Sequence, residues 1–314
     1  MIDINLLKQF EHRLNPRHHE QNAKVLGYGE ISTVLEIGGS GLAYKRMPMF
    51  NAEDEVAAYN RAFDEYVRLL RDEVGIRVIV SELATFKRDD TKRIIAYMAQ
   101  EKLPARSIGN SLIKTLSQTE AIRLTNAILR EFKKVFVFNQ KNAGRLALGI
   151  DGQFSNWAAE NLESASSLPT EIRLIYFDIN TPLWRKEGIE QLNTELFLRS
   201  APSFLRWVLR LFFLQDVVGR YYDLRKVCMD LLANLYKEQR PELIPALIEI
   251  VNKFFAEELS EANIQALTAK EIEDYYREDA FIWRIYLAFR KIDRALHGVL
   301  GKDYPYILPK RVER

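Results

Sequence analysis

The chain has 314 residues, longer than one minimal core and suited to one two-part domain or two small ones. Its composition is that of an ordinary soluble protein, 47% hydrophobic and 28% charged, and 45 basic against 43 acidic residues leave a net charge of +2, so no global field recruits nucleic acid or an anionic membrane. The one cysteine, Cys228, excludes an internal disulfide and a multi-cysteine zinc site; in the helical pattern YYDLRKVCMDLL it reads as a small buried apolar group rather than a reactive thiol.

The opening MIDINLLKQFEHRL reads as a helix and carries no basic stretch followed by an apolar one, so no secretory signal is read there. The His18-His19 pair reads as part of a solvated loop, with metal contact as the alternative. AKVLGYGE and STVLEI read as strands joined by a glycine turn, GGSG breaks the chain, and LAYKRM is a third strand. Over about 52–73 the apolar residues Val56, Tyr59, Phe63, Tyr66, Val67 and Leu70 recur at spacings of three and four, which predicts a helix. RVIVSELATF and RIIAYMAQ are two more strands, turned by KRDDTK. The order over 24–100 is thus β-β-β-α-β-β.

Beyond Leu103 the pattern is mostly helical. Residues 119–138, a stripe of Leu243, Leu247, Ile250, Val251, Phe254 and Phe255, and residues 274–300 predict three helices. Between them, 146–178 returns to short apolar runs flanked by polar turns, which predicts strands. The most apolar stretch, 204–218, is broken by Arg206, Arg210 and Asp216; it is too short and too charged to span a bilayer, and a core helix explains it better than an interfacial one. A cytoplasmic protein with no nucleic-acid or membrane partner is expected, and nothing in the sequence fixes its oligomeric state. The junction at 100–104 is the best boundary within the chain.

Four short motifs carry chemistry. Gly27-Tyr28-Gly29-Glu30-Ile31-Ser32-Thr33-Val34 falls between two predicted strands; glycines there let the backbone approach phosphates, although a plain hairpin turn needs glycine just as much. Lys45, in Ala43-Tyr44-Lys45, could hold two phosphate oxygens as a point charge, or be a solvated strand lysine. A helix carboxylate could orient it: Glu55 first, early on the next helix and followed by Val56 and Tyr59, with Glu53 and Glu65 as alternatives. Asp151-Gly152-Gln153-Phe154-Ser155-Asn156 has the spacing of a phosphotransfer loop, whose Asp accepts the attacking hydroxyl's proton and whose Asn oxygen binds a metal ion. Asp-Gly between apolar runs is equally a hairpin signal. Asp178 ends the apolar strand Ile175-Tyr176-Phe177, where it can hold Mg²⁺ on nucleotide phosphates or cap the turn Ile179-Asn180-Thr181-Pro182.

The order of these motifs joins them: glycine turn, strand lysine, helix carboxylate, connector, long helix, Asp-x4-Asn, strand-Asp. Over roughly 24–180 the chain resembles the protein-kinase-like superfamily, and looks closest to its aminoglycoside-phosphotransferase-like and choline-kinase-like branch. The resemblance implies an α+β, two-lobed fold with a five-stranded antiparallel N-lobe and one helix over 1–103, and a mostly helical C-lobe over 104–314. It implies ATP and Mg²⁺ as cofactors. Gly27 and Gly29 would cover the phosphates, together with Ser32 in place of a third glycine, and Val34 would lie under the adenine. Lys45 would contact phosphate and pair with Glu55, and the backbone of Gln100, Glu101 and Leu103 would form the hinge that hydrogen-bonds adenine. Asp151 would be the catalytic base, and Asn156 and Asp178 the metal ligands.

The chain also departs from that pattern. Leu148-Gly149-Ile150 stand where a His or Arg usually precedes the catalytic Asp, and Ile-Asn rather than Phe-Gly follows Asp178. The segment between Asn156 and Asp178 is long, with NLESASSLP as an enlarged hairpin loop. There is no clear activation segment and no Ala-Pro-Glu motif, so the expected acceptor is a small-molecule hydroxyl or amine rather than a protein. Trp184, Arg185 and Arg199 could line the acceptor pocket or simply pack. Two rivals stand beside a phosphotransferase. One is a pseudokinase, favoured by the lost His and opposed by the retained Lys45, Asp151, Asn156 and Asp178; the other is nucleotidyl transfer to a protein.

Overall fold

The computed structural model describes residues 2–19, 24–29, 32–88, 93–162, 168–202, 205–206 and 218–310. Helix α1 (Ile4–Arg13) begins at Asp3, whose carboxylate accepts the Asn5 and Leu6 N–H groups, and ends in basic His12 and Arg13. Strands β1 (Lys24–Tyr28), β2 (Thr33–Glu36) and β3 (Leu42–Phe50) follow, then α2 (Glu53–Arg68), then β4 (Ser81–Lys87) and β5 (Ile94–Glu101). The five strands make one antiparallel sheet in the order β1-β2-β3-β5-β4. The protein is a mixed α+β structure, with the strand and helix order that the sequence predicts.

Helix α2 carries Glu53, Asp54 and Glu55 in its first turn, where the backbone dipole favours anions, and buries Tyr59, Ala62, Phe63 and Tyr66 on one face. A wider turn continues it to Val74 and stops at Gly75, whose φ of 78° suits glycine.

Past the sheet the chain is mainly helical. Helices α3 (Gly109–Thr115) and α4 (Gln118–Lys141) lead to short strands β6 (Leu146–Leu148), β7 (Trp157–Ala159), β8 (Leu174–Tyr176), β9 (Trp184–Lys186) and β10 (Ile189–Glu190). Strand β7 pairs with β8, and β9 lies between β6 and β10. Then come α5 (Glu195–Leu198), α6 (Leu224–Lys237), α7 (Ile244–Glu258) and α8 (Ala269–Val299). Capping boxes start two long helices: Ser117 with Glu120 on α4, and Thr268 with Glu271 on α8. One apolar core runs from Phe50 and Phe63 through Leu124, Phe132 and Trp157 to Leu231 and Val251.

One predicted strand divides. Only the part of RVIVSELATF from Ser81 onward joins the sheet. The preceding residues run beside β8 instead: Tyr176 N–H donates to Arg77 O at 2.8 Å, and Ile79 N–H to Tyr176 O at 3.0 Å. An apolar run reads the same in sequence whichever strand takes its backbone bonds.

Alternation along β3 gives the sheet two unlike faces. Met47 points into the main core, whereas Tyr44 points to the other side, where α1 and Ile307 cover the sheet. Arg46 shares that second face and is 1% exposed, as is Glu11 of α1. Arg46 Nε donates to Glu11 Oε2 at 2.8 Å, Tyr97 OH to the same oxygen at 2.6 Å, and Arg46 Nη1 to Pro305 O at 2.5 Å. Burial pushes the Glu11 carboxyl up, but the Arg46 charge and the Arg46 and Tyr97 hydrogen bonds outweigh it and leave the group below the usual carboxylate range.

Most of 204–218, the Asp89–Lys92 tip of the KRDDTK turn and the middle of NLESASSLP lie outside the described residues. No described helix is long and apolar enough to cross a membrane. Cys228 is buried, and burial pushes its thiol far up. His19 Nε2 lies 3.1 Å from Tyr28 OH, and among the described residues no three His, Cys, Asp or Glu cluster as metal ligands.

Candidate active site

Lys45 sits mid-strand on β3, opposite Val34 of β2 and Met98 of β5. Alternation turns it away from the Tyr44 and Arg46 face. Its Nζ lies 2.6 Å from Oδ1 of Asp178, which follows β8; the two side chains are 15% and 40% exposed. Gly29 lies beside Lys45. Gly29 N–H donates to Ser32 O at 3.0 Å, and a Cβ on Gly29 would lie 4.0 Å from Lys45 Cε and 2.8 Å from Ser32 Oγ. Gly27 faces Val34 across a bulge, with nothing within 4 Å of where a Cβ would stand. Ser32 is buried and Val34 half-buried; Glu30 and Ile31 lie outside the described residues.

Two of the three expected hinge residues, Gln100 and Glu101, lie within strand β5. Gln100 is flanked by Ala43 and Ser81 in the sheet, Glu101 pairs with Leu42, and Lys102 N–H donates to Gly41 O at 2.9 Å. Leu103 lies past the end of β5, and its backbone N–H has no partner among the described residues. Gln100 acts through its side chain instead: Nε2 donates to Ser81 Oγ and to Phe177 O, both at 3.0 Å, and so ties β5 to the residue before Asp178.

Asp151 and Asn156 are stitched to the same strand. Asp151 N–H donates to Tyr176 OH at 3.2 Å, Phe177 N–H donates to Asn156 O at 3.1 Å, and Trp157 pairs with Tyr176. Asp151 Oδ1 accepts the Gln153 N–H at 3.2 Å. Asn156 is buried, yet its amide makes only long contacts among the described residues: Ser155 Oγ to Oδ1 at 3.4 Å and Nδ2 to Asp151 O at 3.5 Å. Burial, then the charges of Asp230 and Asp178, push the Asp151 carboxyl up to about 7, against the pull of Arg220 and the Gln153 N–H.

Two tyrosines of α2 fix both loops. Tyr59 and Tyr66 stand two turns apart on its buried face. Tyr59 OH donates to Asn180 O at 2.8 Å, and Tyr66 OH to Gly149 O at 2.9 Å. In the sequence they are two members of an apolar stripe; their hydroxyls were the signal that the stripe also carries buried hydrogen-bond donors.

The expected Lys45–Glu55 pair does not form. Glu55 takes Arg199, with Nη2 to Oε1 at 2.6 Å and Nη1 to Oε2 at 2.7 Å, and Arg199 Nη1 also donates to Met49 O at 2.9 Å. The Arg199 hydrogen bonds push the Glu55 carboxyl down to about 2 against the effect of burial. A guanidinium offers a carboxylate two parallel bonds where an ammonium offers a point charge. The alternatives are occupied too, Glu53 by Lys87 and Glu65 by Arg68. Nor do Trp184, Arg185 and Arg199 stand ready as a pocket wall. Trp184 is buried with Nε1 donating to Ala62 O at 3.0 Å, and Arg185 lies 3.9 Å over the Tyr222 ring and 3.2 Å from Glu190.

A polar group beside Asp151 was missed. Asp230 of α6 is 7% exposed; its Oδ1 accepts from Tyr275 OH at 3.0 Å, and Oδ2 has no partner among the described residues. Arg220 Nη1 reaches the same tyrosine at 3.1 Å. The available signal was a carboxylate on the apolar face of Val227, Leu231 and Leu235.

Residues 9–296 match the family model described as "Family of unknown function (DUF6206)". The chain belongs to that family. No curated protein matches this DUF6206 chain. Among solved structures it is similar to "WaaP in complex with acyl carrier protein", at 14% identity, with 77% of this chain and 98% of that chain covered and a TM-score of 0.32.

The loop of this DUF6206 chain that carries Asp151 depends on close packing. A Cβ on Gly152 would lie 2.5 Å from Val227 O and 2.8 Å from Val227 Cγ1. Gly152→Ala should therefore destabilise the fold by about 1–3 kcal/mol through overpacking. Urea unfolding measures it, and an unchanged midpoint would show that α6 does not press on this loop.

Proposed function

We propose that the protein is a Mg²⁺/ATP-dependent phosphotransferase of kinase-like, two-lobed architecture, with lobes at 1–103 and 104–314 and a small-molecule hydroxyl or amine as acceptor. The observation that carries the reading is the meeting of Lys45 with Asp178 at 2.6 Å beside Gly29, just past strand β8, to which the loop of Asp151 and Asn156 is also tied. Asp178 and Asn156 fit a hard cation: one is a part-exposed carboxylate, and the other an amide oxygen with only a 3.4 Å contact. Magnesium held by them would neutralise charge on the nucleotide phosphates. The chain's own groups do the rest. Lys45 would bind phosphate oxygens as a point charge, and the glycine turn would cover them. Asp151 would take the acceptor's proton as its oxygen or nitrogen bonds phosphorus and the bond to the nucleotide breaks. A carboxyl held near 7 suits that role at neutral pH.

One observation favours the second reading, a pseudokinase. Glu55 is held by Arg199, and Lys45 lies against the carboxylate that would hold the metal. Thermal unfolding separates the readings. At about 100 times its dissociation constant a ligand adds about 2.7 kcal/mol, a melting shift on the order of 5–10 °C for a domain of about 150–250 residues and somewhat less here. Wild type should show a Mg²⁺/ATP-dependent shift of that order and Asp178→Asn much less. A folded wild type that does not shift would sink the nucleotide reading. A shift without transfer to a panel of small hydroxyl and amine compounds would favour the pseudokinase. Mass spectrometry of the products distinguishes added phosphate from added nucleotide.

A further inference from the structure

Helix α8 carries an uncovered apolar row. Phe281, Ile285, Ala288, Ile292, Ala295 and Val299 succeed one another at spacings of four, three, four, three and four. That is the repeat of a helix seam made for another helix. All six are exposed: Phe281 63%, Ile285 40%, Ile292 50% and Val299 87%, with both alanines in the same class. Leu296, 49% exposed, widens the row. At about 1.5 Å per residue the row spans about 27 Å.

We propose that a second copy of this chain covers the row, the two α8 helices running antiparallel about a two-fold axis near residue 290. The register carries the argument. In that arrangement Ile285 faces the partner's Ala295, Ile292 faces the partner's Ala288, and Val299 faces the partner's Phe281. Every layer sets a large side chain against a smaller one, as interlocking packing requires. A parallel pair would stack alanine on alanine in two layers and leave them underfilled. Charge selects the same direction. The row continues toward the helix start through the exposed Asp274 and Glu278, and past the helix end stands the exposed Lys302. Antiparallel pairing brings Glu278 toward the partner's Lys302, whereas parallel pairing sets carboxylate against carboxylate. The same two carboxylates disfavour an anionic lipid surface as the occupant. The proposal is independent of any catalytic reading.

The test uses the full chain. Light scattering over a wide concentration range should show the mass rising to that of two chains, and Ile292→Glu should hold it at one chain while melting as wild type does at dilutions where wild type is a single chain. Positions 285 and 295 lie about 15 Å apart within one helix, too far for an internal disulfide. The double variant Ile285→Cys/Ala295→Cys should therefore oxidise to a crosslinked dimer, and neither single variant should; Cys228 is buried and silent. A single-chain mass at every concentration would overturn the proposal. So would crosslinking by Ile285→Cys alone, a dimer indifferent to Ile292→Glu, or a monomer that binds phosphatidylserine vesicles through this face.

Discussion

Arg46→Ala should destabilise the protein by about 3–5 kcal/mol, the cost of leaving a buried charge without its partner. Glu11 would keep its carboxylate in a site 1% exposed, with Tyr97 OH as its remaining close donor. Arg88, 3.6 Å from the other oxygen, is too far to replace two guanidinium bonds. A typical domain has only about 5–15 kcal/mol in total, so a large share of stability would go. Removing both charges should be milder: Glu11→Leu with Arg46→Met leaves no unpaired ion and keeps similar volume. The pair also has a pH signature. The folded Glu11 carboxyl lies below its unfolded value, so its contribution is complete above about pH 4.3 and is lost as pH falls toward the folded value. Urea unfolding at neutral and acid pH measures both effects. A loss below about 1 kcal/mol in Arg46→Ala would show that the pair is not the buried unit described.

Asp151→Asn should reduce turnover by about 10²–10⁴-fold while leaving Mg²⁺/ATP binding nearly intact, because a general base touches the acceptor and not the nucleotide. Asp178→Asn should instead lose the binding. In wild type, kcat/KM should fall about tenfold per pH unit below about 7, where the Asp151 carboxyl of the free protein is protonated. The same group has an opposite effect on stability. Its folded proton affinity is raised, so between about pH 4 and 7 the folded state holds a proton that the unfolded state has released, and stability declines as pH rises across that window. The slope is on the order of 1 kcal/mol per pH unit at most. Asp151→Asn should remove that slope, and at pH 8 it should melt higher than wild type while turning over far less. If it abolished ATP binding as fully as Asp178→Asn, the two aspartates would not have separate roles.

Much of the fold is written in local pattern. Period-two runs closed by glycine or charged turns marked the five strands, and the three-four stripe from Val56 to Leu70 marked α2. Both signals arise within a few residues. Partner choice does not. Glu55 lies 144 positions from Arg199, and no local pattern distinguishes that partner from Lys45. The backbone before Ser81 leaves the sheet for β8, a choice made by a strand nearly a hundred residues later. The candidate site was legible where spacing alone brings residues together, as in Asp151 with Asn156, whose amide lies 3.5 Å from the Asp151 carbonyl. It was hidden where burial does so: Asp230 looks like one more polar residue on a helix until its neighbours on the same face are counted. Arg46 shows both at once, because its place next to Lys45 on a strand assigns it to the other face, while only the fold shows that face to be covered.

The bond from Arg46 to Pro305 sets an order of events during synthesis. The five strands of the sheet end at Glu101, but the carbonyl that completes the guanidinium's partners lies 259 positions beyond Arg46, with Ile307, which helps close that face, just after it. Contacts of such sequence separation form late because the intervening chain must first be brought together. A nascent sheet therefore waits with its α1 side only partly closed until residues 305–307 have been made.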